Sequence, residues 1–478
     1  MKNIFFTILC LFSQTFVIQT FAVVRMPKVF GDNMVLQQQV EAKLWGRADG
    51  KTVVINTSWD NQTYQVRPDK EGRWKLAVKT PEAGGPYVIT VSDGKELVLN
   101  NIMIGEVWIC SGQSNMAVRL KGYMSQPIKG SAEAIMTSGK YRDRIRVLNL
   151  PQRASDTPEE DFPGISWNVS DPVHAPEFSA VAFFFARYLT ESLGVPVGII
   201  NSSWGGSNIE AWMDGESNRK ARPEIKIHDS ELPVAKQPVK LYNGLICPIA
   251  GYTARGFIWY QGEGNARKGG LYKWYSAQLE ALVSHWRKIW NNEKMPFYIV
   301  QIAPHNNGDA GGTWFPRLVE QQIKAARTIP GCGIVSTTDV GEPDCIHPAD
   351  KQAVGLRLAY LAMGSLYRKV PGTPLTGPLY KSHRFERGNA IVEFDNASLG
   401  LVPIPGQLEG FEMAGKDRVF HPARAVVNSK NRSTVTVQCD RVPEPVAVRY
   451  AFRNYMVANL TNSLGFPAFP FRTDNWEE

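Results

Sequence analysis

One serine in this chain has a setting that could make it a nucleophile. Ser114 lies near the end of the stretch Ile104–Met116 (Ile-Gly-Glu-Val-Trp-Ile-Cys-Ser-Gly-Gln-Ser-Asn-Met), an apolar, β-branched and aromatic run that breaks into glycine and short polar residues. Such a run suits a buried strand, and a glycine turn at its end presents the next side chain at the mouth of an open parallel sheet, where α/β folds gather their chemistry. A Gly-x-Ser turn can equally be an ordinary helix cap, so the partners decide. A serine hydroxyl needs a base to take its proton, and the base needs an orienting group. Among seven histidines, His347 stands apart in Asp344-Cys345-Ile346-His347-Pro348, between a strand pattern and a helix pattern. Asp344, three residues before it, can reach the ring across a tight turn. Asp339, Glu342 and Glu263 are further carboxylates that could orient the ring, and a backbone carbonyl in that role would leave a serine–histidine dyad.

The spacing separates two hydrolase classes. The α/β-hydrolase elbow is Gly-x-Ser-x-Gly, and here Met116 takes the place of the second glycine. The Asp-x-x-His pair towards the end of the α/β region instead resembles the SGNH hydrolases. That resemblance implies two oxyanion donors beside the Ser114 N–H: a glycine N–H at a strand end and an asparagine amide. The chain offers Ser202-Ser203-Trp204-Gly205-Gly206-Ser207 for the first and Trp259-Tyr260-Gln261-Gly262-Glu263-Gly264-Asn265 for the second. The candidates are therefore Gly205 or Gly206, and Asn265. Such donors stabilise charge that develops only in the transition state.

With these blocks in place, the chain resembles the sialate O-acetylesterase family within the SGNH-type carbohydrate acetylesterases. The resemblance starts at Phe30-Gly31-Asp32-Asn33-Met34-Val35-Leu36-Gln37 and passes through Gly105-Glu106-Val107-Trp108 and Gly112-Gln113-Ser114-Asn115-Met116. It continues in Trp259-Tyr260-Gln261-Gly262-Glu263 and in Ile346-His347-Pro348 with Lys351 and Gly355. It closes on Val448-Arg449-Tyr450 and Pro470-Phe471-Arg472-Thr473-Asp474. It implies a serine esterase that removes O-acetyl groups from carbohydrates, with Ser114, His347 and Asp344 as triad. Family sequences often carry the acid two places before the histidine, where this chain has Cys345. Gln113, Glu210, Gln261 and Glu263 are candidate sugar-hydroxyl binders, and Trp204, Trp212, Trp259 and Tyr260 candidate stacking walls. Acetylated xylan is an alternative substrate. A non-catalytic carbohydrate-binding protein would need none of the serine, asparagine and histidine blocks, and the resemblance disfavours a peptidase.

The elements that must position these residues read as three modules. Val24–Leu99 has short strand patterns (Val53–Ile55, Lys75–Val78, Tyr87–Val91) separated by turn pairs, which predicts an N-terminal β-sandwich-like domain over 23–100. From 101 to 368 strand and helix patterns alternate: helices over Ser179–Leu193, Leu271–Trp290, Pro316–Arg327 and Pro348–Leu366, strands over Val197–Ile200, Phe257–Tyr260, Phe297–Ala303 and Gly333–Thr337. Alternation of this kind predicts a three-layer α/β/α catalytic domain with a parallel sheet. A Pro/Gly-rich linker (Lys369–Pro378) leads to a C-terminal β-rich module over 379–478. The fold class is thus α/β, SGNH-hydrolase-like, with flanking β-sandwich-like modules.

Composition sets bounds on function. In 478 residues, 43% hydrophobic and 21% charged describe a globular chain of several domains. The net charge of +8 comes from 53 basic and 45 acidic residues without a basic block, so a nucleic-acid role has no support. Met1–Ala22 has the pattern of a secretory signal, with Lys2, the apolar run Ile4–Phe12 and a small-x-small site at Thr20-Phe21-Ala22. The expectation is export to a periplasm or the medium, without a membrane span. Beyond Cys10 the five cysteines are widely spaced, and no metal-ligand or cofactor motif appears.

Overall fold

The computed structural model describes residues 24–50, 52–402 and 407–477; the signal pattern at 1–22 lies outside them. The centre is a parallel sheet in the order Cys332–Val335, Phe297–Val300, Gly256–Tyr260, Glu96–Gly112, Val197–Ser203, Ile145–Asn149, with Asn168–Val169 antiparallel at one edge. Alternation in the nucleophile strand sorts its side chains to two faces. Val107 and Ile109 join the core under the helices Tyr275–Trp290 and Trp314–Thr328. Trp108 and Cys110 join the core under Ala180–Leu193 and Lys351–Ser365. Helices cover both faces, giving the expected three-layer α/β/α domain. Register then sets the site: Gly112 pairs with both Ser203 and Tyr260, so three loops leave the sheet at one level.

Helix starts follow local capping. Ser179 accepts from the Ala182 N–H at 3.3 Å, and Asp350 accepts from the Ala353 N–H at 2.9 Å. The last catalytic-domain helix therefore begins at Lys351, not at Pro348, which stays in the turn while the Ala349 N–H donates to Glu342 at 2.7 Å. Similarly, the helix expected from Pro316 begins two residues earlier, at Trp314, with the proline in its tolerant first turn.

The N-terminal module is joined to this domain by a shared strand. Glu96–Ile104 pairs antiparallel with Gly84–Ser92, and Met103–Gly105 pairs parallel with Val35–Gln37. The same strand then runs on into the catalytic sheet to Gly112, so it crosses residue 100 unbroken and the cores of the two modules are continuous. At the crossing sits Glu106, fully buried. Its carboxylate takes two hydrogen bonds from Arg255, at 2.6 and 2.9 Å, and others from Gln38 (2.7 Å), Gln37 (3.3 Å) and Tyr367 (2.8 Å). These bonds, led by Arg255, hold its carboxyl below the ordinary range against the opposing effect of burial.

The C-terminal module has two four-stranded antiparallel sheets, 379–386/389–395/434–438/424–427 and 420–422/411–414/447–450/471–472, around its own apolar core. Its fully buried Asn454 grips the loop after strand Phe297–Val300. Its carbonyl accepts from the His305 N–H (2.9 Å), its side chain donates to the Asp309 carbonyl (2.8 Å), and its Oδ1 accepts from the Phe315 N–H (3.0 Å). That loop in turn donates from the Asn306 N–H to the Pro343 carbonyl at 3.2 Å, beside His347. Among the described residues no helix is long and apolar enough to cross a membrane.

Removing one partner of a buried charge pair leaves the other uncompensated. Glu106→Ala is expected to destabilise the chain by about 3 kcal/mol, the low end for such pairs because Arg255 keeps some solvent access. Urea unfolding would check this; a loss below about 1 kcal/mol, the level of a surface pair, would show that the junction does not depend on Glu106.

Candidate active site

The serine turn is shaped by a close backbone approach. Gly112 has φ +138°, and a Cβ there would lie 2.1 Å from the Tyr260 carbonyl oxygen, so no other residue fits. The Gln113 N–H donates to that carbonyl at 2.9 Å. Gln113 Oε1 then accepts from Gln261 Nε2 (3.1 Å) and the N–H groups of Gly262 (3.2 Å) and Gly264 (3.1 Å). The serine turn and the 261–264 turn are thereby held as one unit. Ser114, partly exposed, begins the short helix Ser114–Ala117.

The glycine turn abuts it. The Trp204 N–H donates to the Gly112 carbonyl at 3.0 Å, and a Cβ on Gly205 would lie 3.4 Å from Ser114 Cβ. Gly206, at φ +71°, is exposed. Among the described residues the N–H groups of Ser114, Gly205 and Gly206 have no protein acceptor. Asn265 is fully buried. Its Oδ1 accepts from the Ile209 N–H (3.1 Å) and Gln261 Nε2 (2.9 Å), and Nδ2 donates to Glu210 at 2.9 Å. One amide hydrogen of Asn265 remains uncommitted.

His347 reaches the same edge of the sheet. Asn115 Nδ2, next to the serine, donates to the Ile346 carbonyl at 3.0 Å, tying the serine block to the histidine block. The ring is half-buried, with Tyr123 edge-on at 5.5 Å between centroids. Burial, then the nearby Lys351 and His305, lower its pKa to about 4. Its Nδ1 lies 2.7 Å from Gln126 Oε1. That oxygen can only accept, so Nδ1 carries the proton and Nε2 is left with its lone pair.

The expected acid is elsewhere. Asp344 is exposed and makes no hydrogen bond with His347 among the described residues; its charge acts on His305 instead. The other carboxylates are also occupied: Asp339 forms a two-pronged pair with Arg357 (2.8 and 2.6 Å), Glu342 caps Ala349, and Glu263 accepts from Asn115. The three-residue spacing was compatible with a turn that closes on the ring, but Pro343 and Asp344 face outward. Gln126 lies in a tight turn behind Gly122, and a neutral amide leaves no sequence signal.

The candidate sugar contacts are also placed differently. Gln113, Glu210, Gln261 and Glu263 are all buried, and their bonds run to protein groups: Glu210 accepts from Gln278 and Asn265 (2.9 Å each), and Gln261 donates to Ser207, Asn265 and Gln113. They are framework, not a sugar surface. Trp212, Trp259 and Tyr260 are likewise fully buried in the cores, so of the four proposed stacking walls only Trp204 is partly exposed.

A three-layer α/β/α sheet with serine, glycine, asparagine and histidine turns gathered at one edge defines a carboxylic ester hydrolase of the SGNH-like kind. The chain belongs to the carbohydrate esterase family of sialic acid-specific acetylesterases, whose family model matches residues 104–363. It is similar to the human sialate O-acetylesterase, 26% identical over 392 residues and covering 74% of this chain and 73% of that one. The mouse sialate O-acetylesterase is 26% identical over 493 residues, covering 90% of each. Among solved structures, a carbohydrate acetylesterase from Xanthomonas citri superposes with a TM-score of 0.86 at 34% identity, over 95% of this chain and all of that one.

The surroundings of His347 make a direct prediction. Its imidazole should titrate near 4, well below the ordinary value of about 6.5, when followed by NMR of the ring resonances. A titration at 6 or above would mean that the ring is solvated and not held as described.

Proposed function

We propose that this chain is an exported serine esterase that removes O-acetyl groups from carbohydrates, O-acetylated sialic acids first among them. The observation that carries the reading is the convergence of Ser114, the Gly205–Gly206 turn, Asn265 and His347 on one sheet edge, in a chain of this family. His347 Nε2 takes the proton from Ser114 Oγ, which attacks the acetyl carbonyl carbon. The oxyanion forms against the N–H groups of Ser114 and of Gly206 or Gly205, with the free amide hydrogen of Asn265; each donor is worth about 3 kcal/mol in the transition state. The imidazolium returns its proton to the sugar oxygen as the C–O bond breaks. Water, deprotonated by the same nitrogen, then attacks the acetyl-serine, and the imidazolium returns that proton to Ser114 Oγ as its bond to the acyl carbon breaks and acetate leaves. Gln126 holds the ring with a dipole where a triad would supply a full charge, so the imidazolium is less stabilised and the base stays neutral to lower pH. Export rests on the Met1–Ala22 pattern.

A second reading, an acetylated glycan other than sialate, draws on the higher identity and fuller coverage of the Xanthomonas citri enzyme. Acetate release from O-acetylated sialic acid and from acetylated xylan, with Ser114→Ala as control, tests both. Preference for the sialate is expected, with turnover abolished in the folded alanine variant. Preference for xylan would keep the chemistry and overturn the substrate, and turnover surviving in Ser114→Ala would remove the serine from the mechanism. Because the base works only when neutral, the rate should hold through pH 6 and fall as the pH approaches 4. Gln126→Leu is expected to lower kcat about tenfold or more, the value of a hydrogen bond to a group that becomes charged, with Asp344→Asn within about twofold; the reverse order would restore Asp344 as the orienting acid.

A further inference from the structure

Behind the serine lies a buried polar chain that none of the steps above uses. Lys351, fully buried at the start of its helix, donates from Nζ to Asn115 Oδ1. Asn115, also fully buried, donates from Nδ2 to Glu263 Oε1 and to the Ile346 carbonyl. An amide has one acceptor oxygen and two N–H donors, and all three roles are filled. Its three partners come from three places: the helix after the histidine, the turn after Tyr260, and the residue before His347. Lys351 and Glu263 thus bracket the amide, one at its oxygen and the other at its nitrogen. Burial pushes the Lys351 ammonium down to about 7 and Glu263 upward, while each charge pulls the other back. The Tyr260 ring closes the cluster with its centroid 5.6 Å from Lys351 Nζ.

Two ionisable groups buried this deeply are costly to keep, yet each is spent on one atom of the same amide. Asn115 is adjacent to Ser114, and Ile346 is adjacent to His347. We infer that Asn115 is a positioning residue: its bond to the Ile346 carbonyl sets the distance between nucleophile and base, and Lys351 and Glu263 lock the amide in the one orientation that directs a donor at that carbonyl. Without the two charges the amide could turn over and present oxygen to oxygen. Catalysis depends steeply on such placement, since a misplacement of about 1 Å can cost a hundredfold.

The inference rests on the serine-esterase reading, and its test needs a readout that survives that reading's failure. Asn115→Asp with Glu263→Gln rebuilds most of the cluster: Lys351 meets a carboxylate directly, and the new glutamine donates to it. Only the donor to Ile346 is lost. Folding is expected to recover, with Tm within about 1 °C of wild type, a shift worth about 1 kcal/mol in a chain of this size. Aryl-acetate kcat should stay about ten- to a hundredfold down with KM changed less than about threefold. Amide exchange in 342–347, read by mass spectrometry, should speed up at least about tenfold, the effect of losing one tethering bond. Asn115→Ser, too short to reach Ile346 and uncharged, makes the same comparison if the double variant does not fold. Wild-type kcat in either folded variant, or unchanged exchange in 342–347, would overturn the proposal. An inactive wild type would instead sink the esterase reading, and the exchange arm would still decide this one.

Discussion

Everything in this molecule hangs on one strand. Glu96–Gly112 begins as an edge of the N-terminal module and ends as the middle of the catalytic sheet, flanked on both sides by parallel partners. Its second half has no exposed side chain, so its register is set by two cores at once, and a slip of one residue would turn every core side chain to the wrong face. Glu106 pins the strand where the modules meet, and Gly112 pins it where it ends. Between those points the position of Ser114 is determined by the sheet, not by the loop that carries it.

The site is correspondingly rigid behind and open in front. Gln113, Asn115, Gln261, Glu263 and Asn265 form a buried hydrogen-bonded lattice in which nearly every donor has an acceptor. Such lattices are strong when complete and costly when broken. Two atoms without a partner, the acceptor Glu263 Oε2 and the Tyr260 hydroxyl, lie in the Lys351 cluster, and one Asn265 amide hydrogen is uncommitted. Among the described residues the N–H groups of Ser114, Gly205 and Gly206 also have no protein acceptor.

Much of this was legible in sequence, and what was not had physical reasons. Residue types reveal strand ends, so the serine, glycine, asparagine and histidine turns could be found as breaks in apolar runs. They do not reveal direction: a buried framework glutamine and a sugar-binding one look alike, which is why Gln113 and Gln261 were read as substrate contacts. The module boundary falls between residues 100 and 101 in sequence because short strand patterns give way there to alternating strands and helices. Asn101 adopts φ +56°, yet the strand's pairing resumes beyond it. Gln126 was invisible because its role comes from a fold-back of the chain, whereas the visible Asp344 had the right spacing and faces solvent.

The grip of Asn454 on the 305–315 segment has a consequence of a different kind. The wall beside His347 is suspended from a body with its own separate core, so it behaves as a joint, not as a free loop. Its stiffness is inherited from a module that contributes none of the candidate catalytic groups. Sequence change in that module can therefore shift the 305–315 segment while the nucleophile, the base and the sheet beneath them stay untouched. The placement of a segment near the base is in this way decided by a module that lies outside the catalytic sheet.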